Sequence, residues 1–276
     1  MNLFDSFSHL TVGYSVEQIV IGYVMGVLIG MTGIGAGILA MPAMIYFARL
    51  DPVMAIGTSM FFSVLSRGVG VAHHWKLGFI DKETNFFFSL GAVPLVLLSS
   101  VWINRLKETM PPGTLEFDLK AGISFVLFFI TVYLLWDAFK KNQSDLYKCG
   151  DPLTVKQRAQ GTVLGGVVGA MVGATSIGGG ILITPILIGV FKLSSKCVVG
   201  TSNLIAVALT LVGSGVYIYH GNVNLAVSLL VVAGSLLGVK FGANIANKMT
   251  NLALKKWIAG LTLASFASML YGVIGR

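Results

Sequence analysis

One arginine stands where a charged side chain is expensive. Arg67 lies inside an apolar stretch that runs from Val53 to Trp75, and the hydroxyl groups of Thr58 and Ser59 lie nearer the start of that stretch. If the stretch crosses a membrane, the guanidinium costs a few kcal/mol to insert and normally faces a cavity or a partner. Three roles stay open for it: attraction of a negatively charged substrate, an ion pair or clamp on backbone carbonyls, and snorkelling to the inner face.

A glycine-rich motif occurs twice in the chain. Residues 30–42 read GMTGIGAGILAMP and residues 173–185 read GATSIGGGILITP. Both ends of the motif are displaced by the same amount, which we call the repeat offset, because 173 − 30 = 143 and 185 − 42 = 143. The repeat offset also carries Gly57-Thr58-Ser59 onto Gly200-Thr201-Ser202. The chain is therefore an internal duplication, with each half built to one design.

The composition places this duplication in a membrane. Of the 276 residues, 55% are hydrophobic and 11% are charged, and the mean hydropathy is +0.84. A soluble domain has roughly 25% charged residues. The net charge of +8 comes from short basic clusters between apolar runs. We interpret it as a loop bias that orients the chain, which argues against nucleic-acid binding.

The two cysteines give no sign of a metal site. Cys149 lies in a polar loop and Cys197 lies beside an apolar run, without the spacing of metal ligands. Neither a metal, a cofactor nor a disulfide framework is predicted. The segment from Met1 to Tyr14 contains Asp5 but no Lys or Arg ahead of an apolar core, so a cleaved signal peptide is not expected.

Two apolar segments have an unusual length. Segments 18–48 and 161–191 are too long for one span of about 20 residues and too short for two. Glycine clusters and a proline break each of them. We expect each to form a re-entrant hairpin whose first helix, 18–31 in the first copy, is about 21 Å long. The other apolar segments, each expected to cross the membrane, are 53–75, 85–103, 119–139, 197–219, 222–245 and 257–274.

The basic loops predict the orientation. If both hairpins return to the side they enter from, six full spans remain, and the basic loops share one side with the largest cluster, 140–158. The positive-inside rule assigns that side to the cytoplasm and the termini to the periplasmic side. Because three spans per half is an odd number, the second half enters the membrane upside down. We predict an all-α polytopic membrane protein with one membrane domain, in which inverted repeats 1–139 and 161–276 are joined by a cytoplasmic linker, 140–160.

This topology predicts a binding site. The broken helices of inverted repeats meet near the midplane, where their free backbone groups bind a solute. The helices that would begin near Ile38 and Ile181 would direct their N-termini at it, which favours a small tetrahedral or pyramidal anion. Glycines permit close approach to the backbone, and hydroxyl groups add donors. The residues expected to bind the anion are Thr32, Gly33, Gly35, Gly37, Thr58, Ser59, Arg67, Thr175, Ser176, Gly178, Gly179, Gly180, Thr201, Ser202 and Asn203.

The paired motifs resemble those of a known family. GIGAGILAMP and SIGGGILITP, followed further along the chain by the Gly-Thr-Ser runs at Gly57 and Gly200, are similar to the signatures of the TauE/SafE sulfite exporter family. The resemblance runs from about Gln18 to the end of the chain. It implies a bacterial-type inner-membrane permease for sulfur-containing anions such as sulfite, sulfoacetate or other organosulfonates. The first copy departs from the second in having Ala36 where Gly179 stands.

The expected direction of transport is outward. An inside-negative potential drives an anion out by about 2.3 kcal/mol per charge per 100 mV. Import would need coupling to H⁺ or Na⁺, and that coupling stays open. No carboxylate lies beside the glycine motifs, so a carboxylate proton relay is not expected. ATP drive is excluded because the chain has no GxxxxGK[ST] run.

Two other function classes compete with an anion permease. A membrane enzyme would need a constellation of catalytic side chains, and Cys197 and His220 are isolated, so no enzyme is expected. A non-transporting subunit of a membrane complex would not need broken helices. A permease or importer for a different small anion, such as thiosulfate, stays open, as does the oligomeric state. The expected partners are therefore a small anion and the lipid bilayer.

Overall fold

The computed structural model describes most of both repeats. The described residues are 12–32, 37–110, 149–177, 180 and 182–246, with single residues or pairs between 114 and 132 and between 260 and 271. The spans predicted at 119–139 and 257–274 lie for the most part outside them.

The described residues fold into eight α-helices, in agreement with the predicted all-α class. Four of them, α3, α4, α7 and α8, are long and apolar enough to cross a membrane. The bounds are α1 (Val12–Thr32), α2 (Gly37–Tyr46), α3 (Pro52–Lys76), α4 (Lys82–Thr109), α5 (Val155–Thr175), α6 (Ile183–Gly189), α7 (Ser195–Tyr219) and α8 (Leu225–Ala246).

Local sequence signals fix where α4 and α5 begin. The Asp81 carboxylate accepts a 2.8 Å hydrogen bond from the Thr84 amide, which satisfies one of the free N–H groups in the first turn. Thr154 and Gln157 form a capping box at the start of α5. Both helices begin at the same end of the bundle. We call it the basic end, because five lysines lie at or beside helix ends there: Lys76, Lys82, Lys156, Lys192 and Lys196.

The broken segments turn back on themselves, as predicted. The Tyr14 hydroxyl, near the start of α1, donates a 3.3 Å hydrogen bond to the carbonyl of Ala48, just past the end of α2. In the second repeat, Gln157 Nε2 donates to the carbonyl of Val190, just past α6, also at 3.3 Å. Each segment therefore ends beside the point where it began.

The first helix of each hairpin is longer than predicted. α1 and α5 have 21 residues each, about 31 Å at 1.5 Å per residue, and both begin six residues before the predicted boundary. The prediction of a half-helix over 18–31 was therefore wrong. Gly173, near the end of α5, packs against Val96 and Ser99 of α4, which places this break close to the middle of α4.

Glycines let helices from different repeats pack closely. A methyl group added at Gly22 or Gly26 of α1 would collide with the backbone of α8, and one added at Gly165 or Gly169 of α5 would collide with the backbone of α4. These two pairs of contacts are related by the repeat offset. Small residues at four-residue spacing are the usual means of close helix contact in membranes. The first helix of each repeat therefore packs on the other repeat.

The helices α3 and α7 cross at the centre and run in opposite directions. Gly57, near the start of α3, lies against Tyr217, near the end of α7. Further along α3, Arg67 reaches Asn203, which is near the start of α7. The two helices hold equivalent places in the two repeats, because their first residues, Pro52 and Ser195, are separated by the repeat offset.

The Gly-Thr-Ser motifs lock the repeats together. Thr201 Oγ1 accepts a 2.9 Å hydrogen bond from the amide of Asp81, and Thr58 Oγ1 accepts a 3.0 Å hydrogen bond from the amide of Asn224. The two bonds are equivalent under the repeat offset. In each case the threonine of one repeat holds the residue that precedes a long helix of the other.

We expect Thr201→Val to destabilise the protein by about 1–3 kcal/mol, because it leaves the buried amide of Asp81 without an acceptor. Thermal unfolding in detergent measures this loss. Thr210→Val is the matched control, since the Thr210 hydroxyl donates only within its own helix, with the Ala206 carbonyl at 2.7 Å, and we expect a much smaller effect. Equal losses in the two variants would contradict a cross-repeat role for Thr201.

The linker between the repeats folds onto the basic end. The amide of Gly150 donates a 2.9 Å hydrogen bond to Asp81, and the amide of Leu153 donates a 3.0 Å hydrogen bond to Glu83. Arg158 also pairs with Glu83, at 2.8 Å. The last linker residues therefore cover the start of α4.

Cys149 and Cys197 form a disulfide, with Cα atoms 5.8 Å apart. The prediction of no disulfide was therefore wrong. The two cysteines are far apart in sequence, and they meet because the linker folds back over Asp81, which itself bonds to Thr201, one turn beyond Cys197.

Candidate functional site

The α3–α7 crossing holds a buried arginine. Arg67 is 6% exposed, and its Nη1 donates a hydrogen bond to Asn203 Oδ1 at 3.5 Å. Both residues lie in the half of the bundle nearer the basic end, nine residues before the end of α3 and eight residues after the start of α7. Of the three roles considered for Arg67, snorkelling to a surface does not fit this burial.

Space lies beside this pair. No heavy atom of the described chain would come within 4 Å of a methyl group added at Gly70, one turn beyond Arg67. The equivalent glycine in the other repeat is Gly213, where an added methyl group would lie 2.5 Å from the Met60 sulfur. Met60 and Asn203 are themselves equivalent positions. The shorter asparagine therefore leaves open the space that methionine fills on the other side.

The two halves of the crossing thus differ in chemistry. The counterpart of Arg67 is Thr210, whose hydroxyl bonds within its own helix, and its neighbour Met60 is fully buried. One half is apolar and packed, whereas the other carries a positive charge, an amide and open space. An oxyanion fits the second half, since a guanidinium binds such groups through charge-assisted hydrogen bonds.

The predicted hydroxyl groups are engaged elsewhere. Thr58 and Thr201 make the cross-repeat bonds described above. Ser59 donates to the carbonyl of Ile56 at 2.9 Å, and Ser202 donates to the carbonyl of Val199 at 3.2 Å. These four hydroxyls therefore already have structural partners, and Asn203 is the member of the predicted α7 set that lies with Arg67.

The second hairpin turn is tightly braced. Thr175 Oγ1 donates to the carbonyl of Met171 at 2.7 Å and accepts from the Ile177 amide at 3.2 Å. Ser176 has a left-handed backbone with φ of 58°. Its buried hydroxyl has no hydrogen-bond partner in the described part of the chain. Gly180 is also buried.

Buried hydroxyls also hold the last turn of α5. The carbonyl of Gly173 accepts hydrogen bonds from Ser100 at 3.2 Å and from Tyr217 at 3.0 Å. This turn therefore lies further from the basic end than Arg67 does, because Tyr217 is near the end of α7.

Several predicted site residues lie outside the described residues. These are Gly33 and Gly35 in the first motif and Gly178 and Gly179 in the second. Thr32 closes α1 and Gly37 opens α2. The helix predicted to begin near Ile181 begins instead at Ile183 and has only seven residues, too short for a strong dipole at its N-terminus. The case for an anion therefore rests on Arg67.

Comparison with known proteins decides the family. The family model for the sulfite exporter TauE/SafE matches residues 18–269, which is nearly the whole chain. The chain belongs to the TauE/SafE family. No solved structure matches it.

Relatives of this TauE/SafE chain carry transporter names. The probable membrane transporter protein YjnA of Bacillus subtilis is 27% identical over 253 residues, covering 91% of this chain and 98% of the relative. YunE, a probable membrane transporter protein of the same organism, is 26% identical over 246 residues, covering 84% and 88%. A probable membrane transporter protein of Haemophilus influenzae is 27% identical over 262 residues, covering 87% and 92%. The chain is therefore a membrane transporter by family.

Two candidate site residues in this TauE/SafE family member were missed from the sequence. Asn85 Oδ1 and Ser89 Oγ are buried without a hydrogen-bond partner among the residues described. Both lie on α4, beside the α3–α7 crossing. The signal that could have found them is their spacing of four residues on one face of an otherwise apolar segment.

Proposed function

We propose that this transporter is an inner-membrane permease that exports a small sulfur-containing anion, such as sulfite, sulfoacetate or another organosulfonate. The observation that carries the proposal is the buried Arg67, held against Asn203 beside open space at Gly70. The family indicates that the protein is a transporter, and the arginine indicates that its substrate is negatively charged. The name of the family suggests sulfur chemistry for the substrate.

The charge on the crossing helices favours an anion. Neither α3 nor α7 contains an Asp or Glu, whereas Arg67 contributes a positive charge inside the bundle. The two helices therefore give the adjoining space a positive electrostatic potential, which attracts an anion and repels a cation. Salt screens a buried charge much less than an exposed one, so this preference for an anion persists at physiological ionic strength.

The packing of the repeats supports alternating access. Equivalent helices α3 and α7 run in opposite directions, which is what an inverted repeat requires. Each repeat is tied to the other at both ends of the crossing, through Thr201 at the basic end and Thr58 at the far end. We propose that substrate binding between the repeats favours a change in which one of these ends opens while the other stays closed.

The orientation follows from the basic end. The positive-inside rule assigns this end to the cytoplasm, which puts Arg67 in the cytoplasmic half of the bundle. An anion would enter from that side, and an inside-negative potential would drive it outward by about 2.3 kcal/mol per charge per 100 mV. Export is therefore the proposed direction.

Thermal unfolding of the purified protein with sulfite, sulfoacetate, taurine, thiosulfate or sulfate tests the substrate class. A ligand that binds only the folded state adds about 2.7 kcal/mol of stability at roughly 100 times its Kd. We expect a sulfur oxyanion to stabilise the protein, and chloride at the same ionic strength to have no effect. Proteoliposomes loaded with that anion should release it faster when the interior is made negative. Absence of stabilisation by all five compounds at millimolar concentration would contradict the proposal.

A further inference from the structure

Three buried side-chain oxygen atoms on α4 lack partners within the described part of the chain, and one of them belongs to Thr84. Asn85 Oδ1 and Ser89 Oγ make no hydrogen bond to any residue that the structure describes. Leaving such groups buried and unpaired costs free energy, and native proteins keep few of them without a functional reason. The Asn85 and Ser89 oxygen atoms are one helical turn apart, so they face the same side of α4.

The packing of α4 directs that side towards Asn203. Val96 lies seven residues after Ser89 and so continues the same face of α4, and it packs beside Gly213 of α7. At the other end of the contact, Gly200 packs beside Ile80, just before α4. The two helices therefore run side by side in the same direction, which brings Asn85 to about the level of Asn203.

The equivalent face of the other repeat is less polar. Asn85 corresponds to Ser228 on α8, and Ser89 corresponds to Val232. Asn203, which lies near the polar face of α4, corresponds to Met60, which lies near the equivalent face of α8. Met60 fills the space against Gly213. Ser228 Oγ is also buried without a partner among the described residues, but the pair of such oxygen atoms one turn apart lies on the α4 face, on the side of the crossing that also holds the arginine.

We infer that Asn85 and Ser89 complete the anion site and select a sulfur oxyanion that also carries a hydrogen-bond donor. The inference rests on the proposed function. Arg67 binds the negative oxygens, and Asn85 Oδ1, as an acceptor, binds an O–H or N–H of the substrate. Hydrogensulfite and hydroxyalkyl or aminoalkyl sulfonates meet both requirements. Sulfate and simple alkanesulfonates meet only the first.

Two probes that differ by one hydroxyl group test this selection. Ethanesulfonate and 2-hydroxyethanesulfonate have the same charge and nearly the same size. We expect the hydroxylated probe to bind the unmodified protein about tenfold more tightly, since the other leaves the acceptor unpaired. Thermal stabilisation titrated with each probe measures the ratio.

Substitutions on α4 assign the difference to particular residues. In Asn85→Leu the ratio between the two probes should fall to about one, and in Ser89→Ala it should decrease. Ser228→Ala, at the position equivalent to Asn85, should leave the ratio unchanged. A residue with only a structural role would alter stability or both affinities together, and would leave the ratio as it was.

The outcomes separate this inference from the function on which it rests. Equal binding of the two probes to the unmodified protein overturns the inference, whether or not Asn85→Leu folds. If sulfite or sulfoacetate still stabilises the protein in that case, the proposed permease stands. If neither probe binds and no sulfur oxyanion does, both the inference and the proposed function fail.

Discussion

Replacing Arg67 with methionine should abolish transport and weaken anion binding by about 100-fold. Removing one member of a buried charge pair costs about 3 kcal/mol, because the other charge stays buried and uncompensated, and about 1.4 kcal/mol corresponds to a factor of ten. Methionine is long enough to occupy much of the same volume, so the variant keeps most of the local packing. Anion titrations by thermal unfolding, and efflux from proteoliposomes, measure the two effects.

A second cationic side chain provides the control. Lys240 lies on α8 and is exposed, so Lys240→Met removes the same formal charge from a membrane helix without touching the crossing. We expect its anion affinity and transport to match those of the unmodified protein. Arg67→Lys should keep part of the affinity, because a lysine retains the charge but loses the planar fork of donors. Full anion binding in Arg67→Met would remove Arg67 from the site.

The duplication in the sequence anticipated more of the fold than any single segment did. The repeat offset links the Thr201–Asp81 bond to the Thr58–Asn224 bond, so one repeated motif defines two contacts. The return of each hairpin was also predictable, because broken apolar segments of this length cannot cross twice. What the motif did not reveal is that its threonines accept hydrogen bonds from backbone amides of the other repeat.

Other features depend on contacts between segments that are distant in the sequence, and no local sequence pattern indicates these contacts. The disulfide forms because the linker folds back over Asp81, which brings Cys149 to Cys197. The extra turns at the start of α1 contain polar residues such as Ser15 and Glu17, and hydropathy alone excludes these from a span. In the sequence, Asn85 is an ordinary polar residue near a helix end. Only the folded structure shows that its oxygen atom is buried and unpaired among the described residues.

Departures from the internal symmetry carry the functional information. Equivalent positions that keep the same residue type, such as Gly57 and Gly200, make equivalent backbone contacts with the other repeat. Two pairs of equivalent positions that differ, Arg67 against Thr210 and Asn203 against Met60, lie at the α3–α7 crossing. The duplication therefore accounts for the symmetric contacts between the repeats, and the proposed anion site lies at positions where the two repeats differ.

The two equivalent glycines of the crossing should respond in opposite ways to leucine. Gly70→Leu places a side chain in open space, so stability should be unchanged or slightly higher, since leucine favours a helix over glycine by about 1 kcal/mol. Transport should nevertheless fall at least tenfold, because the new side chain occupies the space proposed for the anion beside Arg67. Thermal unfolding and proteoliposome efflux, measured on the same preparation, separate the two effects.

Gly213→Leu is the matched counterpart, and we expect this substitution to lower the stability of the protein. Its added side chain would meet the buried sulfur of Met60, and overpacking of this kind costs about 1–3 kcal/mol. Substitution of Met60 by alanine in the same protein should restore much of that loss, because it vacates the volume that the leucine needs. No such rescue is expected for transport in Gly70→Leu. Unimpaired efflux from Gly70→Leu would mean that the anion does not pass the Arg67 side of the crossing, since a leucine there leaves it no room.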